Sequence, residues 1–440
     1  MTVTPAISEA APPAPGRPAH RDPDVLRWLG AYASSAIGDN VYYMALSWAA
    51  VQAGTPSQAG LVMAASALPR ALLMLGGGVI ADRFGPRRVL LAGNGVRCAA
   101  VVAVTVLLLV AGPGLWLLWV LALVFGVVDA ALMPALGALP ARITTRGQLA
   151  RVQGMRGMAS RLANVLGAPL GGLGVALGGA AAAFGTAALL FAIALPLLAA
   201  VRTRNRPHDE HDGAAGQEPP PRPTAARELR DGLHHIRRNP VLARLVVVIA
   251  LSDLGFVGPL NVGLTLLADE RGWGASGMGW VLAGFGTGAG AMSLLLTVRG
   301  RVPRAGLVLS VTIAVGAVAV GAIAYVPTLA SAVGAALAVG LLAGLSGALC
   351  GALIQTESDP AYTGRVTSVA QLFSLGLAPL TFPLTGAAIA LWGSGPVFAA
   401  SAGVCALGGL MGLGSGALRR AELPRWPPAR VTARAPDPSP

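Results

Sequence analysis

The sequence predicts an all-α membrane protein in which twelve transmembrane helices form two bundles of six. Three observations support this class. Hydrophobic residues make up 54% of the 440 residues and charged residues only 12%, whereas soluble domains carry about 25% charged residues. The hydrophobic residues are grouped in runs of about 20 or more, the length that a helix needs to cross a bilayer. The basic residues fall mainly between alternate runs, as the positive-inside rule requires.

Twelve such runs follow one another along the chain. The first six lie at about residues 26–52, 57–81, 88–112, 115–140, 149–173 and 178–200. The second six lie at about residues 241–268, 275–298, 304–326, 328–355, 362–391 and 394–417. Two sets of six joined by a longer polar connection suggest a parallel repeat about an axis along the membrane normal. The predicted segments are a disordered cytoplasmic tail, a six-helix bundle, a cytoplasmic linker, a second six-helix bundle and a second disordered tail, at 1–25, 26–201, 202–240, 241–418 and 419–440.

The linker contains a predicted element of its own. Leu229, Leu233 and Ile236 fall on one helical face of residues 225–238, with arginines around them. This pattern is typical of an amphipathic helix that lies on a membrane surface. We expect this helix at the inner surface, directly before the seventh span.

All 32 basic residues are arginines, and the formal net charge is +13. Such a charge often indicates a nucleic-acid partner, but these arginines are concentrated in alternate connections. With the N-terminus placed in the cytoplasm, the external connections hold only Arg271. One missed or invented helix would invert this bias downstream of it. The sequence therefore predicts a multi-pass protein of the plasma membrane with both termini in the cytoplasm, the lipid bilayer as its partner and no nucleic-acid partner.

The connection between the second and third spans carries a dense motif of the form G-x-x-x-D-R-x-G-x-R-R. Its matching residues are Gly78, Asp82, Arg83, Gly85, Arg87 and Arg88. The motif resembles the signature loop between helices 2 and 3 of the major facilitator superfamily. The resemblance implies that Asp82 locks the two halves of a twelve-helix transporter together at the cytoplasmic side, against the eleventh span near Arg365. An anion close to the positive end of a helix supplies the physical basis.

Residues 229–242, directly before the seventh span, look like the same position in the macrolide-efflux and siderophore-exporter branch of that superfamily. Two further elements resemble motifs of the efflux branch and of antiporters. The fourth span ends in a G-x-x-D-A-x-x-x-P-A element at residues 126–135. The fifth span carries an antiporter-like motif at Gly167, Pro169, Gly171 and Gly172, in which Pro169 stands one residue later than in the antiporter pattern. Glycines four apart also let helices approach closely. An antiporter role and a packing role therefore both stay open for this motif.

Seven ionisable residues are expected at membrane depth, where each should face a cavity or a partner because a charge there is costly. They are Asp39, Arg70, Arg97, Asp129, Arg156, Arg161 and Asp253. Structural ion pairs and a role in transport are both open for Arg70, Arg97 and Asp129. The positions of Arg156 and Arg161 in the fifth span make them candidates for a cavity or an ion pair.

Asp39 and Asp253 are the predicted proton-coupling residues, because coupling needs a protonatable acid near the membrane midplane. Asp39 stands twelve residues beyond Arg27, which is about 18 Å along a helix. Asp253 occupies the matching place in the seventh span and is predicted to act as the second such acid. Arg70 or Arg97 is expected to pair with Asp39.

These features predict a proton-coupled exporter of a small, partly apolar compound such as a drug, a macrolide or a siderophore. It would act as a monomeric antiporter in efflux and multidrug resistance. An importer or metabolite exchanger of the same fold is the first alternative, and a non-transporting membrane sensor or partner subunit is the second. No enzymatic activity, metal or cofactor is expected, because the sequence contains no nucleophile–base pair, metal-spaced cluster or phosphate-binding loop in the required context.

Overall fold

The computed structural model describes residues 18–111, 114–203, 225–299, 302–359 and 362–423. This part of the chain is helical and contains no strand. Its α-helices in chain order are α1 (Pro23–Ala53), α2 (Pro56–Phe84), α3 (Pro86–Ala111), α4 (Leu115–Ile143), α5 (Leu149–Ala199), α6 (Ala225–Arg238), α7 (Pro240–Gly258), α8 (Leu264–Glu270), α9 (Gly274–Arg299), α10 (Ala305–Ile323), α11 (Leu329–Glu357), α12 (Thr363–Trp392), α13 (Ser394–Gly414) and α14 (Gly416–Arg419).

Helix α5 contains two predicted spans. Its 51 residues would extend about 76 Å as a straight helix, whereas the hydrocarbon core of a bilayer is about 30 Å thick. The helical backbone is interrupted at Gly178 and Gly179, and Gly179 has a φ of 69° that favours glycine. The residues before this break are called the first leg of α5 (149–177), and those after it the second leg (180–199).

The seventh predicted span is a helix with a widened turn. After α7, residues Pro259–Gly263 form a π-helical turn, and α8 continues the same rod to Glu270. Pro259 lacks an N–H and so removes one helical hydrogen bond. Together these elements form one apolar stretch of 31 residues.

Nine helical stretches in the described part of the chain are long and apolar enough to cross a membrane. One of these stretches is α5, whose two legs count as two spans and bring the number to ten. Helices α1 and α2 add 31 and 29 residues, which is also enough to span a bilayer. The chain is therefore a multi-pass integral membrane protein, and its helices are consistent with the predicted twelve spans.

The packing of the helices repeats between the two halves. In the first half, α1 and α3 pack against α5, α3 also packs against α4, and α2 packs against α4. In the second half, α7 and α10 pack against α13, α10 also packs against α11, and α9 packs against α11. Helices α1, α3 and α4 and the second leg of α5 thus correspond to α7, α10, α11 and α13. The residue boundaries of the two bundles and of the tails stay a prediction.

Helix α6 covers the same residues as the predicted amphipathic helix. Ile236 is 3% exposed and packs with Leu242 and Leu245 of α7. An ion pair of 3.6 Å joins Asp231 to Arg365 at the start of α12. The partner of Arg365 in this structure is thus on α6, whereas the side chain of Asp82 lies outside the described residues.

The two halves meet through α2 with α12 and through α5 with α9. We call the end of the molecule that holds the α1–α2 connection the far end, and the end that holds the α2–α3 turn the motif end. Near the far end a Cβ atom added at Gly60 would lie 2.6 Å from the backbone oxygen of Phe382. One added at Gly172 would lie 2.7 Å from the backbone oxygen of Ala275. Glycine is required at both places because backbones of opposite halves are in contact.

Candidate functional site

A cluster of buried charges joins four helices of the first half. Arg97 of α3 is at its centre, and its side chain is 5% exposed. Its Nη1 lies 3.1 Å from Oδ1 of Asp39 on α1, and its Nη2 contacts Oδ1 of Asp129 on α4. Nη1 of Arg70 on α2 lies 4.0 Å from Oδ2 of Asp129. The structure thus brings together four of the seven predicted ionisable residues.

Aromatic rings complete the surroundings of Arg97. Its guanidinium lies 5.5 Å from the ring centroid of Phe125 and 5.8 Å from that of Phe191, within range of cation–π attraction. The hydroxyl of Tyr43 donates a hydrogen bond of 2.9 Å to Oδ2 of Asp129. Buried charges are tolerated when they are paired and hydrogen-bonded. This cluster pairs two acids with two arginines, while Nε of Arg97 is buried without a hydrogen-bond partner among the described residues.

The two acids of the cluster differ in access. The side chain of Asp129 is 5% exposed, and that of Asp39 is 31% exposed. Asp129 has Arg97, Arg70 and Tyr43 as partners, whereas Asp39 is paired with Arg97. Asp39 is therefore the acid that a proton or a ligand can reach more easily.

A central cavity of about 250 Å³ lies between the two halves, beside this cluster. Polar and apolar side chains alternate on its wall, which includes Asn40, Tyr43, Asn164, Asn261, Met278 and Phe285. The amide of Asn40 donates a hydrogen bond of 3.2 Å to Asn164. Tyr43 borders the cavity and also donates to Asp129, so a single side chain connects the cavity to the buried charges.

Towards the far end, polar contacts between α1 and the seventh span close the space above this cavity. The hydroxyls of Ser47 and Thr265 share a hydrogen bond of 2.6 Å. The amide of Gln52 donates to Asp269 at 2.8 Å. These bonds act together with the close backbone approaches at Gly60 and Gly172. The far end of the molecule is therefore closed in this structure.

Asp253 lies in different surroundings from Asp39. It lines a second cavity, of about 270 Å³, between α7, α10, α11 and α13. The side chain of Ser374 on α12 lies nearby. No cation lies within ion-pair distance of Asp253 among the residues that the structure describes. We call this space the C-terminal cavity.

The remaining predicted arginines lie apart from the buried cluster. Arg161 is exposed on the first leg of α5, three residues before Asn164 and therefore on the same helical face, one turn nearer the motif end. Arg156 contacts Gln153 at 3.4 Å, and its guanidinium lies 5.5 Å from the ring of Tyr32. Neither arginine pairs with Asp39 or Asp129.

The predicted turn at Gly85 is confirmed. Helix α2 ends at Phe84, Gly85 has a φ of 82°, and α3 begins at Pro86. Arg87 donates to the backbone oxygen of Ala199 at the end of α5, and the guanidinium of Arg83 lies 5.6 Å from the ring of Phe84. Arg88 is exposed, and Gly78 lies inside α2. The gating role of this motif stays a prediction.

The glycines of the antiporter-like motif lie where α5 approaches its neighbours. An added Cβ at Gly167 would lie 2.3 Å from Cβ of Asn40, and one at Gly171 would lie 3.2 Å from the sulfur of Met44. Gly172 approaches α9, and Pro169 lies inside the first leg. The close packing allowed by glycine is therefore present, and the antiporter role stays a prediction.

The sequence-based search missed the uncharged residues of the central cavity. It considered ionisable groups at membrane depth and therefore passed over Tyr43, Asn40, Asn164 and Asn261. The sequence does indicate them, because amide and phenol groups inside an apolar span also need hydrogen-bond partners. Only the packing of the spans shows that these four residues border one cavity.

Comparison with known proteins identifies the family. A family model described as Major Facilitator Superfamily matches residues 28–377. The chain belongs to the major facilitator superfamily. No curated protein sequence matches the chain.

Solved structures show the same superfamily fold at low sequence identity. The nucleoside transporter NupG has a TM-score of 0.67 at 12% identity, covering 89% of this chain and 98% of NupG. An auto-inhibited POT family peptide transporter has a TM-score of 0.65 at 17% identity, covering 92% and 99%. A D-xylose–proton symporter has a TM-score of 0.66 at 13% identity, covering 89% and 95%. At these identities the likeness establishes the fold alone.

Proposed function

We propose that this protein is a monomeric secondary active transporter that exports a small, partly apolar compound in exchange for protons. The observation that carries the proposal is the link through Tyr43 between the central cavity and the buried acids. A cavity of mixed polarity suits a small organic compound with a few hydrogen-bonding groups. The methionines on its wall can adapt to ligands of different shape.

Asp39 is the proton-coupling acid in this proposal. Arg97 is held by Asp39 and Asp129 at once, so it ties α1 to α3 and α4. Protonation of Asp39 removes the charge from one of these two acids and leaves Arg97 bound mainly to Asp129. The link between α1 and α3 then weakens, which gives a physical route from proton binding to helix movement. Release of the proton restores the link.

The arginine distribution supports an orientation with the motif end in the cytoplasm. Both termini and the linker would then be cytoplasmic, and the closed far end would face outside. The topology is tested with an impermeant thiol reagent on a variant that lacks the three native cysteines and carries one new cysteine at position 215. Protection in intact cells and labelling after permeabilisation are expected. Strong labelling in intact cells would reverse the orientation.

Import or exchange is the alternative, and the names of the similar structures support it, since they include a proton symporter and nucleoside and peptide transporters. The antiporter-like motif and the resemblance to the efflux branch support export. Inside-out vesicles with an imposed proton gradient separate the two directions. Proton efflux coupled to substrate uptake into these vesicles is expected for an exporter, whereas no gradient-driven accumulation would contradict it.

Asp39→Asn tests the coupling residue. Asparagine keeps the shape of a protonated carboxyl but cannot exchange a proton, so gradient-driven export should be lost while substrate binding remains. Glu357→Gln, a neutralisation at the end of α11, is the matched control and should keep export. Normal uphill export by Asp39→Asn across a range of pH would place the coupling site elsewhere.

A further inference from the structure

We propose that the C-terminal cavity is a binding site for a small organic cation, with Asp253 as its counter-ion. The cavity has a volume of about 270 Å³ and a wall that is mainly apolar, with Asp253 as the one ionisable carboxylate on it. The chemical class is a quaternary or protonated amine that carries apolar groups. The binding itself is independent of the proposed export, whereas the identification of this cation as a cargo rests on that function.

The position of the cavity in the repeat supports this proposal. Arg97 stands eleven residues after the first residue of α3, and Gly316 stands eleven residues after the first residue of α10. Asp129 stands fourteen residues after the start of α4, and Ala343 fourteen after the start of α11. Because α3 and α4 correspond to α10 and α11, the cavity occupies the place that the Arg97 ion pair fills in the first half.

Small residues on the wall create the space. Gly316, Ala317, Ala343 and Gly347 all line the cavity. A Cβ atom added at Gly347 would have no neighbour within 4 Å, and one added at Gly316 would make only ordinary contact with Leu342 at 3.6 Å. The first half has Arg97, Phe125 and Phe191 around its acids. By the same count Asp39 stands sixteen residues after the first residue of α1 and Asp253 thirteen after that of α7, so the second half has an acid about one helical turn earlier in its span and lacks the guanidinium.

The chemistry of the wall selects the charge of the ligand. A carboxylate at membrane depth faces a cavity or a partner; Asp253 faces this cavity, and none of the described residues supplies a cation to it. Phe256 lines the same cavity and can add a cation–π contact. A metal is not the expected occupant, since no group of three or more potential ligands is found in the described part of the chain. The volume lies below the usual range of about 300–1,000 Å³ for ligand pockets, which favours a compact ligand.

Equilibrium binding of radiolabelled benzyltrimethylammonium to the purified full-length protein tests the site. This probe combines a permanent charge with a small aromatic group, and the assay uses no gradient. Saturable binding is expected for the wild type and for Glu357→Gln. Asp253→Asn should weaken it by about tenfold or more, because a bond to a charged group is lost. The absence of saturable binding by the wild type, or equal affinity in Asp253→Asn, would overturn the proposal.

Gly316→Arg supplies an independent second variant. It places a guanidinium at the position that corresponds to Arg97, so it should pair with Asp253 and exclude the probe. Undiminished binding by a folded Gly316→Arg protein would also contradict the proposal. Asp39→Asn is expected to bind the probe like the wild type, because Asp39 lies in the other half. Failure of cation binding and failure of proton-coupled export are therefore detected in separate assays.

Discussion

Between α1, α3, α4 and the second leg of α5, two carboxylates hold the guanidinium of Arg97. Between the corresponding helices of the second half, the carboxylate of Asp253 borders a cavity of about 270 Å³. Asp39 and Asp253 were predicted to have the same role from their matching places in the sequence. Asp39 belongs to an ion-pair cluster, whereas Asp253 borders a cavity and has no cation near it among the described residues. Their shared proton-coupling role stays a prediction. The two halves thus place an acid in corresponding spans, about one helical turn apart, and give it different partners.

The two halves should differ in how much stability they lose when a charge is removed, and variants of each half test this. In the first half each buried charge depends on the others, so removal of one leaves the rest uncompensated. In the second half no described cation depends on Asp253. Neutralising a charge of the first-half cluster should therefore lower the free energy of unfolding substantially, whereas neutralising Asp253 should change it little.

The largest effect is expected for Arg97→Met, which removes the centre of the cluster. Methionine fills part of the same volume but leaves Asp39 and Asp129 as two neighbouring acids without their shared partner. We expect a loss of about 3–5 kcal/mol in the free energy of unfolding, measured by denaturation of the purified protein in detergent. Arg161→Met is the matched control, since Arg161 is exposed and should cost little. Equal stability of the two variants would contradict the buried ion pair.

Asp129→Asn should have the next largest effect. Asparagine can still accept the hydrogen bond from Tyr43, but it loses the charge that faces Arg97 and Arg70. We expect destabilisation by about 1.5–3 kcal/mol, the usual range for a bond to a charged group. Asp39→Asn should cost less in the same unfolding measurement, because its side chain is more exposed. The reverse order would show that Asp39 is the principal anchor of Arg97.

Tyr43→Phe removes a single hydrogen bond of the cluster. The expected loss is about 1.5 kcal/mol, the low end of the range for a hydrogen bond to a charged group, because Arg97 and Arg70 still hold Asp129. Gradient-driven export should fall because the cavity is no longer connected to Asp129. Tyr42→Phe is the matched control on the neighbouring residue. The hydroxyl of Tyr42 is buried and has no hydrogen-bond partner among the described residues, so its removal should not destabilise the protein. A greater loss in Tyr42→Phe than in Tyr43→Phe would contradict the assigned contacts.

Much of the fold could be predicted from the sequence because the bilayer imposes strict rules on it. Length and apolarity gave the spans, and the glycine and proline at positions 85 and 86 gave the α2–α3 turn. The connection inside α5 was predicted at residues 174–177, and the break occurs directly after them, at Gly178 and Gly179. These features depend on neighbouring residues in the chain and on the solvent around it.

The candidate sites could be predicted only in part, because they depend on contacts between distant residues. The sequence identified Arg97, Asp39 and Asp129 as costly charges but not as partners across three helices. It could not identify the C-terminal cavity, which arises from small side chains such as Gly316 and Gly347 on different helices. The absence of an arginine at position 316 produces no sequence motif. It is recognised only when α10 is compared with α3, which carries Arg97 at the corresponding position.

The smallest effect is expected for Asp253→Asn, and this variant tests the comparison most directly. Unlike Asp129, Asp253 leaves no described arginine unpaired when it is neutralised, so stability without ligand should change by less than about 0.5 kcal/mol or rise. Benzyltrimethylammonium should raise the unfolding temperature of the wild type, because a ligand that binds only the folded state stabilises it. It should not raise that of the variant. Asp253→Asn could instead destabilise the protein as strongly as Asp129→Asn. Asp253 would then belong to a structural ion pair, and the proposal that an external cation binds in the C-terminal cavity would be contradicted.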